Sequence, residues 1–176
     1  MNKEQELIDR LIDLAFAEDI GDGDHTTLSC IPETAMGKSK LLIKEAGILA
    51  GIEVAKEVFR RFDPTMKVTV YINDGAEVKP GDVAMIVEGK VQSLLQTERL
   101  MLNIMQRMSG IATMTHKYQE RLKGTHTRVL DTRKTTPGMR ILEKMAVKIG
   151  GGVNHRIGLF DMILLKDNHV DFAGGI

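Results

Sequence analysis

The most constraining feature of the sequence is an alternation of a strand, a helix and a second strand near its end. Arg128–Thr132 has the pattern of a short strand centred on Val129 and Leu130, Met139–Ile149 has helical spacing, and Asp161–Lys166 contains an apolar run typical of a second strand. Apolar strands joined by a helix indicate a parallel sheet of βαβ units. A complete barrel of eight such units needs about 250 residues, and only about 50 of the 176 residues follow Thr127. We therefore expect either a chain truncated at its C-terminus or a small partial sheet that closes by association.

The residues before this unit alternate between helical and extended patterns in a different order. We predict an amphipathic helix over Leu7–Ala15, a strand over Lys40–Leu49, a helix over Ile52–Phe62, strands over 68–72 and 77–87, and a strong helix over Ser93–Met108 that is followed by helix to about Leu122. This pattern indicates a mixed α/β domain. Its boundary with the βαβ unit is expected between about residues 108 and 127.

Charge is unevenly distributed along the chain, although the net charge is zero. Residues 1–24 hold two basic and eight acidic residues, a balance of −6, whereas residues 123–156 hold eight basic and two acidic residues, a balance of +6. The basic segment points to an anionic ligand. For Lys144 and Lys148, which lie four residues apart on the predicted helix, we prefer a solvated helix face.

Composition narrows the classes of partner. The basic residues form no polybasic arm and aromatic residues make up only 4% of the chain, so we do not expect nucleic acid as a partner. No apolar run approaches the length of a membrane span, and the N-terminus lacks the pattern of a signal peptide. A single cysteine, Cys30, excludes an internal disulfide framework and fits a reducing cytoplasm.

Three polar clusters follow the predicted strands and helix. The first, Asp131–Gly138, places Arg133 and Lys134 directly after a strand, where α/β proteins bind ligands; alternatively, it is a polar loop whose charges face water. The second, Gly150–Arg156, begins with three glycines, whose N–H groups can bind an anion, although a helix C-cap explains part of this pattern. The third, Leu164–His169, places a lysine at the end of a buried strand, where a charge is costly unless it is paired or used.

Several other chemistries lack their sequence signatures. The chain has no metal-ligand spacing of the H-E-x-x-H or C-x-x-C kind, no P-loop and no G-x-G-x-x-G motif. It also lacks the nucleophile elbow that a Ser-His-Asp triad requires. The residues alone therefore indicate a cationic site for a small polyanion on a parallel sheet.

The three clusters, in this order and spacing, closely resemble the type II phosphoribosyltransferases, specifically the quinolinate phosphoribosyltransferase family. The most specific part is D-T-R-K-T-x-P-G-x-R over 131–140 together with G-G-G-x-N-H-R-x-G-L over 150–159. Matching segments at 18–26, 97–103 and 108–113 extend the resemblance over essentially the whole chain.

This resemblance implies a fold and a reaction. The implied fold class is α/β, with an N-terminal mixed α/β sandwich domain at 1–115, which carries a dimer-forming helix, and the first βα units of an incomplete open (β/α) barrel at 116–176. The implied reaction joins phosphoribosyl pyrophosphate to quinolinate with decarboxylation, in a homodimer or dimer-based oligomer, and gives nicotinate mononucleotide for NAD biosynthesis. Mg2+ accompanies the pyrophosphate, and its protein ligands are expected beyond residue 176.

The resemblance also implies the residues of the active site. Arg133, His155 and Arg156 correspond to the residues that hold the quinolinate carboxylates. Lys134 and Lys166 correspond to the catalytic lysines, which lie between the two substrates and contact both phosphates and carboxylates.

Further residues allow more than one interpretation. Arg99 matches the substrate-binding arginine that in the family reaches the site of the neighbouring subunit, or it is a plain surface charge. Arg140 either binds phosphate or packs at the start of a helix. We expect His169 to make a structural hydrogen bond, and residues 22–25 to provide turn and capping interactions.

Three alternatives remain open for the function. The first is a relative associated with molybdenum transport, the second is a nicotinate-using phosphoribosyltransferase, and the third is a non-catalytic fragment that binds anions or dimerises. In the resembled family, the acidic residues for magnesium and ribose and the glycine-rich loops for the 5′-phosphate lie in later barrel strands. We therefore expect the 176-residue chain by itself to be inactive.

Overall fold

The computed structural model describes residues 3–175, which form six helices and five strands. In chain order these are α1 (Lys3–Asp19), α2 (His25–Cys30), β1 (Met36–Leu42), β2 (Gly47–Ile48), α3 (Ile52–Phe62), β3 (Lys67–Val70), β4 (Glu77–Val78), β5 (Val83–Lys90), α4 (Val91–Arg121), α5 (Arg140–Ile149) and α6 (Asp167–Ala173). The predicted α/β class is confirmed. Among these helices, none is both long and apolar enough to cross a membrane.

The N-terminal part is built around a three-stranded antiparallel sheet with the strand order β1-β5-β3. The central strand β5 is paired on both edges, since Ser39 of β1 lies opposite Val87 and Thr69 of β3 lies opposite Ile86. Met85 and Val87 of β5 are buried in the core, and helix α4 packs against this strand. A separate two-stranded ribbon joins β2 to β4.

The strand predicted over Lys40–Leu49 is wrong in its bounds, because two strands share this segment. β1 begins earlier and ends at Leu42, with an irregular register between Leu41 and Leu42, whereas β2 starts only at Gly47. The chain breaks between them because β1 pairs with β5 while β2 pairs with β4. An apolar run in a sequence does not reveal which neighbour each residue pairs with.

Two helices supply much of the hydrophobic core. Helix α3 has the predicted bounds and buries Val54, Val58 and Phe59. Helix α4 is a single helix of 31 residues, roughly 46 Å long at 1.5 Å per residue, so Ser109 and Gly110 do not end it. The domain division at 115/116 falls within this helix and stays a prediction.

The second part of the chain forms one βα unit. Leu130 pairs with Val153 in a parallel bridge, and helix α5 lies between them in the sequence. The Val153 N–H donates to the Val129 carbonyl oxygen at 2.8 Å, and the Asp131 N–H donates to the Val153 carbonyl oxygen at 3.1 Å. Parallel pairing in residues 3–175 is limited to this bridge.

The strand predicted over Asp161–Lys166 is wrong. The segment has no regular structure, the side chain of Ile163 is 89% exposed, and helix α6 begins at Asp167. A strand needs a hydrogen-bonded neighbour, and the described part of the chain offers none here because Leu130 pairs with Val153 instead. The segment that pairs in parallel therefore lies just after the three glycines, at Val153, and not at the later apolar run. The strand predicted over Arg128–Thr132 is likewise reduced to the single bridge at Leu130.

A capped turn connects α1 to α2. The carboxylate Oδ1 of Asp24 accepts the N–H of Thr27 at 3.0 Å, which provides an acceptor for the first turn of α2. Hydrogen bonds from Thr27 hold the pKa of Asp24 below its ordinary value. The capping interpretation of this segment is confirmed for Asp24.

Candidate functional site

A buried ion pair joins Asp131, the residue after the Leu130 bridge, to Lys144 of helix α5. The ammonium group of Lys144 donates to Oδ1 of Asp131, and also to the carbonyl oxygen of His155 at 3.1 Å. The side chains of Lys144 and Asp131 are only 2% and 6% exposed, and an unpaired charge at such a position would be costly. The solvated helix face that we predicted for Lys144 is therefore wrong, whereas Lys148 is exposed as expected.

Asp131 also holds the segment that follows the three glycines. Its Oδ1 accepts the N–H of His155 at 2.8 Å, and its Oδ2 accepts the side-chain amide of Asn154 at 2.9 Å. The same amide donates to the backbone oxygen of Lys144 at 2.9 Å. The sequence analysis missed the roles of Lys144 and Asn154. The available signal was Asp131 itself, since an acid directly after a predicted strand requires a partner if its side chain is buried.

Arg133 and Lys134 lie on the loop that follows this strand, as predicted. The hydroxyl oxygen of Thr132 accepts the N–H of Lys134 at 3.0 Å and closes a short turn. The Nε atom of Arg133 is buried and has no hydrogen-bond partner within residues 3–175, whereas the side chain of Lys134 is exposed. Both residues therefore retain donors for a ligand.

Arg140 fixes the same loop through hydrogen bonds to neighbouring protein groups. Its Nε donates to the hydroxyl oxygen of Thr135 at 3.0 Å and its Nη1 to the carbonyl oxygen of Ile157 at 3.1 Å. Its Nη2 donates to the carbonyl oxygen of Arg133 at 3.5 Å. Because all three guanidinium nitrogens are engaged, the structure favours helix-start packing over phosphate binding for Arg140.

A second set of hydrogen bonds reaches this loop from helix α4. Arg107 donates to Oε1 of Glu143 through Nη2 at 2.6 Å and through Nε at 3.0 Å, and to the Thr136 hydroxyl at 3.1 Å. Oε2 of Glu143 accepts the N–H of Thr136 at 3.2 Å. Burial raises the pKa of Glu143, but the hydrogen bonds from Arg107 and Thr136 outweigh it and hold that pKa below its ordinary value. No motif in the sequence signalled Arg107.

His155 and Arg156 follow the segment that Asp131 holds. The guanidinium of Arg156 is buried, at 7% exposure for the residue, and its Nη1 donates to the carbonyl oxygen of Met162 at 3.1 Å. The imidazole of His155 is part-buried and makes no hydrogen bond to any group in residues 3–175, since its contacts are through its backbone. Arg156 is thus partly engaged, whereas both ring nitrogens of His155 remain available.

The three glycines end helix α5 and let it pack against α4. The N–H groups of Gly150–Gly152 donate to carbonyl oxygens in the last turns of α5 at 2.9 to 3.0 Å. Gly151 has φ +89, the left-handed conformation typical of helix ends. A Cβ on Gly150 would lie 2.4 Å from the carbonyl oxygen of Ala112 on α4. Anion binding by these N–H groups is therefore wrong, and the C-cap interpretation is confirmed.

Two of the predicted site residues, Lys166 and Arg99, lie outside the segments 131–138 and 150–156. Lys166 is exposed at the start of α6, where its N–H donates to Nδ1 of His169 at 3.0 Å, which confirms the structural hydrogen bond expected of His169. Arg99 is exposed on α4, about 12 Å along the helix axis before Arg107. No hydrogen bond or ion pair within residues 3–175 connects either residue to Arg133.

The other four predicted residues lie on the two loops that the Asp131–Lys144 pair joins: Arg133, Lys134, His155 and Arg156. Both acidic side chains of the basic segment are already paired, Asp131 with Lys144 and Glu143 with Arg107. Across residues 3–175, no carboxylate forms an ion pair with any of the four. Their charge and donors are therefore available to an anionic ligand. We call these four residues the cation cluster.

A wide groove on the N-terminal part is separate from the cation cluster. It encloses about 870 Å³ and is lined by residues of α2, the end of α3 and the start of α4, including Cys30, Asp63 and Lys90. None of the predicted site residues lines it. The candidate site therefore depends on the two loops and not on this groove.

Comparison with known proteins identifies the family. The N-terminal domain of quinolinate phosphoribosyl transferases matches residues 24–109, and the C-terminal domain of the same family matches residues 111–176. The chain belongs to the quinolinate phosphoribosyltransferase family. Both matched regions follow one another without overlap, so the predicted resemblance is confirmed over almost the whole chain.

Individual members of the quinolinate phosphoribosyltransferase family show the same similarity. Quinolinate phosphoribosyltransferase (decarboxylating) 1b of Nicotiana tabacum is 48% identical over 168 residues, which cover 94% of this chain and 47% of the relative. The probable nicotinate-nucleotide pyrophosphorylase (carboxylating) of Synechocystis is 42% identical and covers 97% of this chain and 57% of the relative. The crystal structure of NadC from Streptococcus pyogenes superposes with a TM-score of 0.90 at 42% identity, over 96% of this chain and 60% of that one. The chain spans about half the length of the curated relatives it matches.

Proposed function

We propose that the protein containing these residues transfers the phosphoribosyl group of phosphoribosyl pyrophosphate to quinolinate. The products are nicotinate mononucleotide, pyrophosphate and carbon dioxide, in a step of de novo NAD biosynthesis. The observation that carries this proposal is the cation cluster, whose members have no carboxylate partner in the described residues. It is supported by the names of two similar relatives, quinolinate phosphoribosyltransferase (decarboxylating) and probable nicotinate-nucleotide pyrophosphorylase (carboxylating).

The two carboxylates of quinolinate suit the arginines and the histidine of the cation cluster. We assign Arg133, His155 and Arg156 to these carboxylates, because a planar guanidinium can bind a carboxylate through two parallel hydrogen bonds. The buried and unpaired Nε of Arg133 supports this assignment. A buried donor without a partner costs about 1–3 kcal/mol, and a bound carboxylate would remove this cost.

The lysines suit the phosphate groups of the second substrate. As the pyridine nitrogen attacks ribose C1, the leaving pyrophosphate gains negative charge that the protein must stabilise. The protein must also hold several mutually repelling anions in line. We assign the exposed Lys134 to both substrates, since a lysine is a flexible point charge beside the fixed fork of Arg133. The same catalytic role for Lys166 rests on the family resemblance alone.

Magnesium belongs to this proposal as the ion that accompanies pyrophosphate. Within residues 3–175, no group of three His, Cys, Asp or Glu side chains lies close enough together to hold a metal ion. The two acids nearest the cation cluster, Asp131 and Glu143, are paired with Lys144 and Arg107. The described residues thus do not fit a magnesium site.

The assembly and the compartment are also proposals. Arg99 makes no contact with the cation cluster of its own chain, which supports a homodimer or dimer-based oligomer in which it reaches the site of the neighbouring subunit. A cytoplasmic location is supported by Cys30, which is exposed and unpaired, as is usual for proteins of reducing compartments.

The decisive experiment measures formation of nicotinate mononucleotide from phosphoribosyl pyrophosphate and either quinolinate or nicotinate, with magnesium. We expect product and carbon dioxide from quinolinate, and little product from nicotinate, because a single carboxylate cannot use both Arg133 and Arg156. Equal turnover of nicotinate would favour the nicotinate-using relatives. No product from either substrate, by the protein that contains these residues, would refute the proposed reaction.

A matched pair of variants tests the assignment of residues. Arg133→Ala should raise the KM for quinolinate about tenfold or more, since a charge-assisted hydrogen bond contributes about 1.5–3 kcal/mol. Lys148→Ala removes the same charge from the same basic segment, at an exposed position of α5. It should leave the KM unchanged. An equal effect of both changes would mean that only the overall charge of the segment matters.

A further inference from the structure

We propose that the buried Asp131–Lys144 pair is a positioning device that sets the orientation of His155 and Arg156 for substrate. This inference rests on the proposed function for its ligand, quinolinate. The orientation of His155 by the pair does not depend on the ligand, and a measurement without ligand tests it. Neither residue of the pair was among the predicted site residues.

The pair holds both backbone groups of His155. The carboxylate of Asp131 accepts the His155 N–H at 2.8 Å, while the ammonium of Lys144 donates to the His155 carbonyl oxygen at 3.1 Å. A negative group thus fixes the peptide before His155 and a positive group fixes the peptide after it. With both peptide planes set, the direction of the His155 Cα–Cβ bond is also set.

Asn154 extends this arrangement by one residue. Its side-chain amide donates to Oδ2 of Asp131 and to the backbone oxygen of Lys144, both at 2.9 Å. Two consecutive residues, Asn154 and His155, are therefore placed relative to helix α5 by the same two residues, and Arg156 follows directly after them. The imidazole of His155 makes no hydrogen bond in the described chain, so its position depends on this backbone.

The pair is suited to positioning and unsuited to direct catalysis. The side chains are 2% and 6% exposed, so they face protein groups and not substrate. An apolar pair of the same size would fill the space but would leave the His155 N–H and carbonyl groups unpaired and buried. Because the two charges cancel each other, Asp131 does not neutralise the cation cluster, which keeps its attraction for anions.

Loss of Lys144 should therefore have two consequences. The segment carrying His155 and Arg156 would lose one of its two charged anchors, and the unpaired carboxylate of Asp131 would compete with ligand carboxylates for the cations. A displacement of about 1 Å at a binding group can reduce a rate about a hundredfold. We expect Lys144→Met to raise the KM for quinolinate about tenfold or more, and the KM for phosphoribosyl pyrophosphate less than twofold.

The experiment compares four versions of the whole protein that contains these residues: wild type, Lys144→Met, the double variant Asp131→Asn/Lys144→Met, and Lys148→Met. The double variant removes both charges and leaves no unpaired buried ion, which keeps the test valid if the single variant does not fold. Lys148→Met makes the same chemical change at an exposed position on the same helix and should match wild type. Circular dichroism selects the variants that are folded.

Two measurements separate the positioning role from the proposed function. First, the ring proton signals of His155 are recorded by NMR without ligand and are assigned by their loss in the variant His155→Gln. These signals should broaden or shift in the folded variants that change Asp131 or Lys144, and they should not change in Lys148→Met. Unchanged His155 signals would overturn the inference even if quinolinate binds. Second, the KM for each substrate is measured, and an equal rise in both KM values would indicate a general structural defect and overturn it. A wild-type protein that ignores quinolinate would refute the proposed function and leave the NMR result to decide the geometry.

Discussion

Gly150, the residue that caps helix α5, leaves no room for a side chain against helix α4, and replacing it with alanine tests how closely the two helices pack. A Cβ at this position would lie 2.4 Å from the carbonyl oxygen of Ala112 and 2.8 Å from Cβ of Thr115. Neither atom is the end of a flexible side chain. The added methyl group can therefore be accommodated only if α5 moves away from α4 or the backbone of α4 shifts.

The cost of Gly150→Ala follows from two opposing effects. Overpacking in a well-packed interior costs about 1–3 kcal/mol, and a clash with backbone atoms places this site at the upper end. Replacing glycine also lowers the entropy of the unfolded chain, which stabilises the fold by about 0.4–1 kcal/mol. The net destabilisation is about 2 kcal/mol, and at about 2–4 °C per kcal/mol for a chain of this size the midpoint of thermal unfolding should fall by roughly 4–8 °C.

Gly110→Ala is the matched control on the same helix. Gly110 lies within α4, is exposed, and an added Cβ there would meet no atom within 4 Å. Alanine is favoured over glycine inside a helix by about 0.5–1 kcal/mol, so this variant should be more stable than wild type. Thermal and urea unfolding of both variants measure the difference. If Gly150→Ala were as stable as Gly110→Ala, the close approach of α5 to α4 would be refuted.

Two further predictions concern carboxylates with shifted pKa values. Burial raises the pKa of Asp74 above its ordinary 3.8, although it accepts the N–H of Ile52. Relative to Asp74→Asn, the wild type should therefore lose unfolding free energy in urea titrations as the pH rises through that raised pKa. Arg107→Met removes hydrogen bonds that hold the pKa of Glu143 low, so it should lower the thermal midpoint at pH 7. The difference in midpoint between wild type and variant should shrink as the pH falls through the pKa of Glu143. A difference that stays constant with pH would contradict this prediction.

The local parts of the fold were predictable from the sequence. Helix α3 has the predicted bounds because its apolar residues recur on one face and Asp63-Pro64 ends it. Strand positions after residue 128 were less predictable, because pairing depends on distant residues. Val153 follows three glycines and looks like a loop residue, yet it pairs with Leu130. The more apolar segment Asp161–Lys166 finds no neighbour in the described chain.

The charge of the candidate site was predictable, whereas the use of each charge was not. The excess of basic residues over 123–156 correctly indicated a cationic region, and the loop positions of Arg133 and Arg156 followed from the motifs. Lys144 and Lys148 look alike in the sequence, but one is buried against Asp131 and the other is exposed. The difference arises because Asp131 lies next to Lys144 in the folded chain. The spacing of residues along the sequence does not show this contact.

Helix α5 shows what several basic residues of segment 123–156 do that lie outside the cation cluster. Arg140, Glu143 and Lys144 occupy positions i, i+3 and i+4, which share one helix face. Each side chain holds a loop. Arg140 donates to the hydroxyl of Thr135, and Glu143 accepts the backbone N–H of Thr136 in the same loop. Lys144 donates to the carbonyl oxygen of His155. Ile141, Leu142 and Ala146 of α5 are buried, and the helix packs against α4. Charged residues on a helix between two loops can therefore serve to fix those loops, and the cation cluster then consists of residues left without a carboxylate partner within residues 3–175.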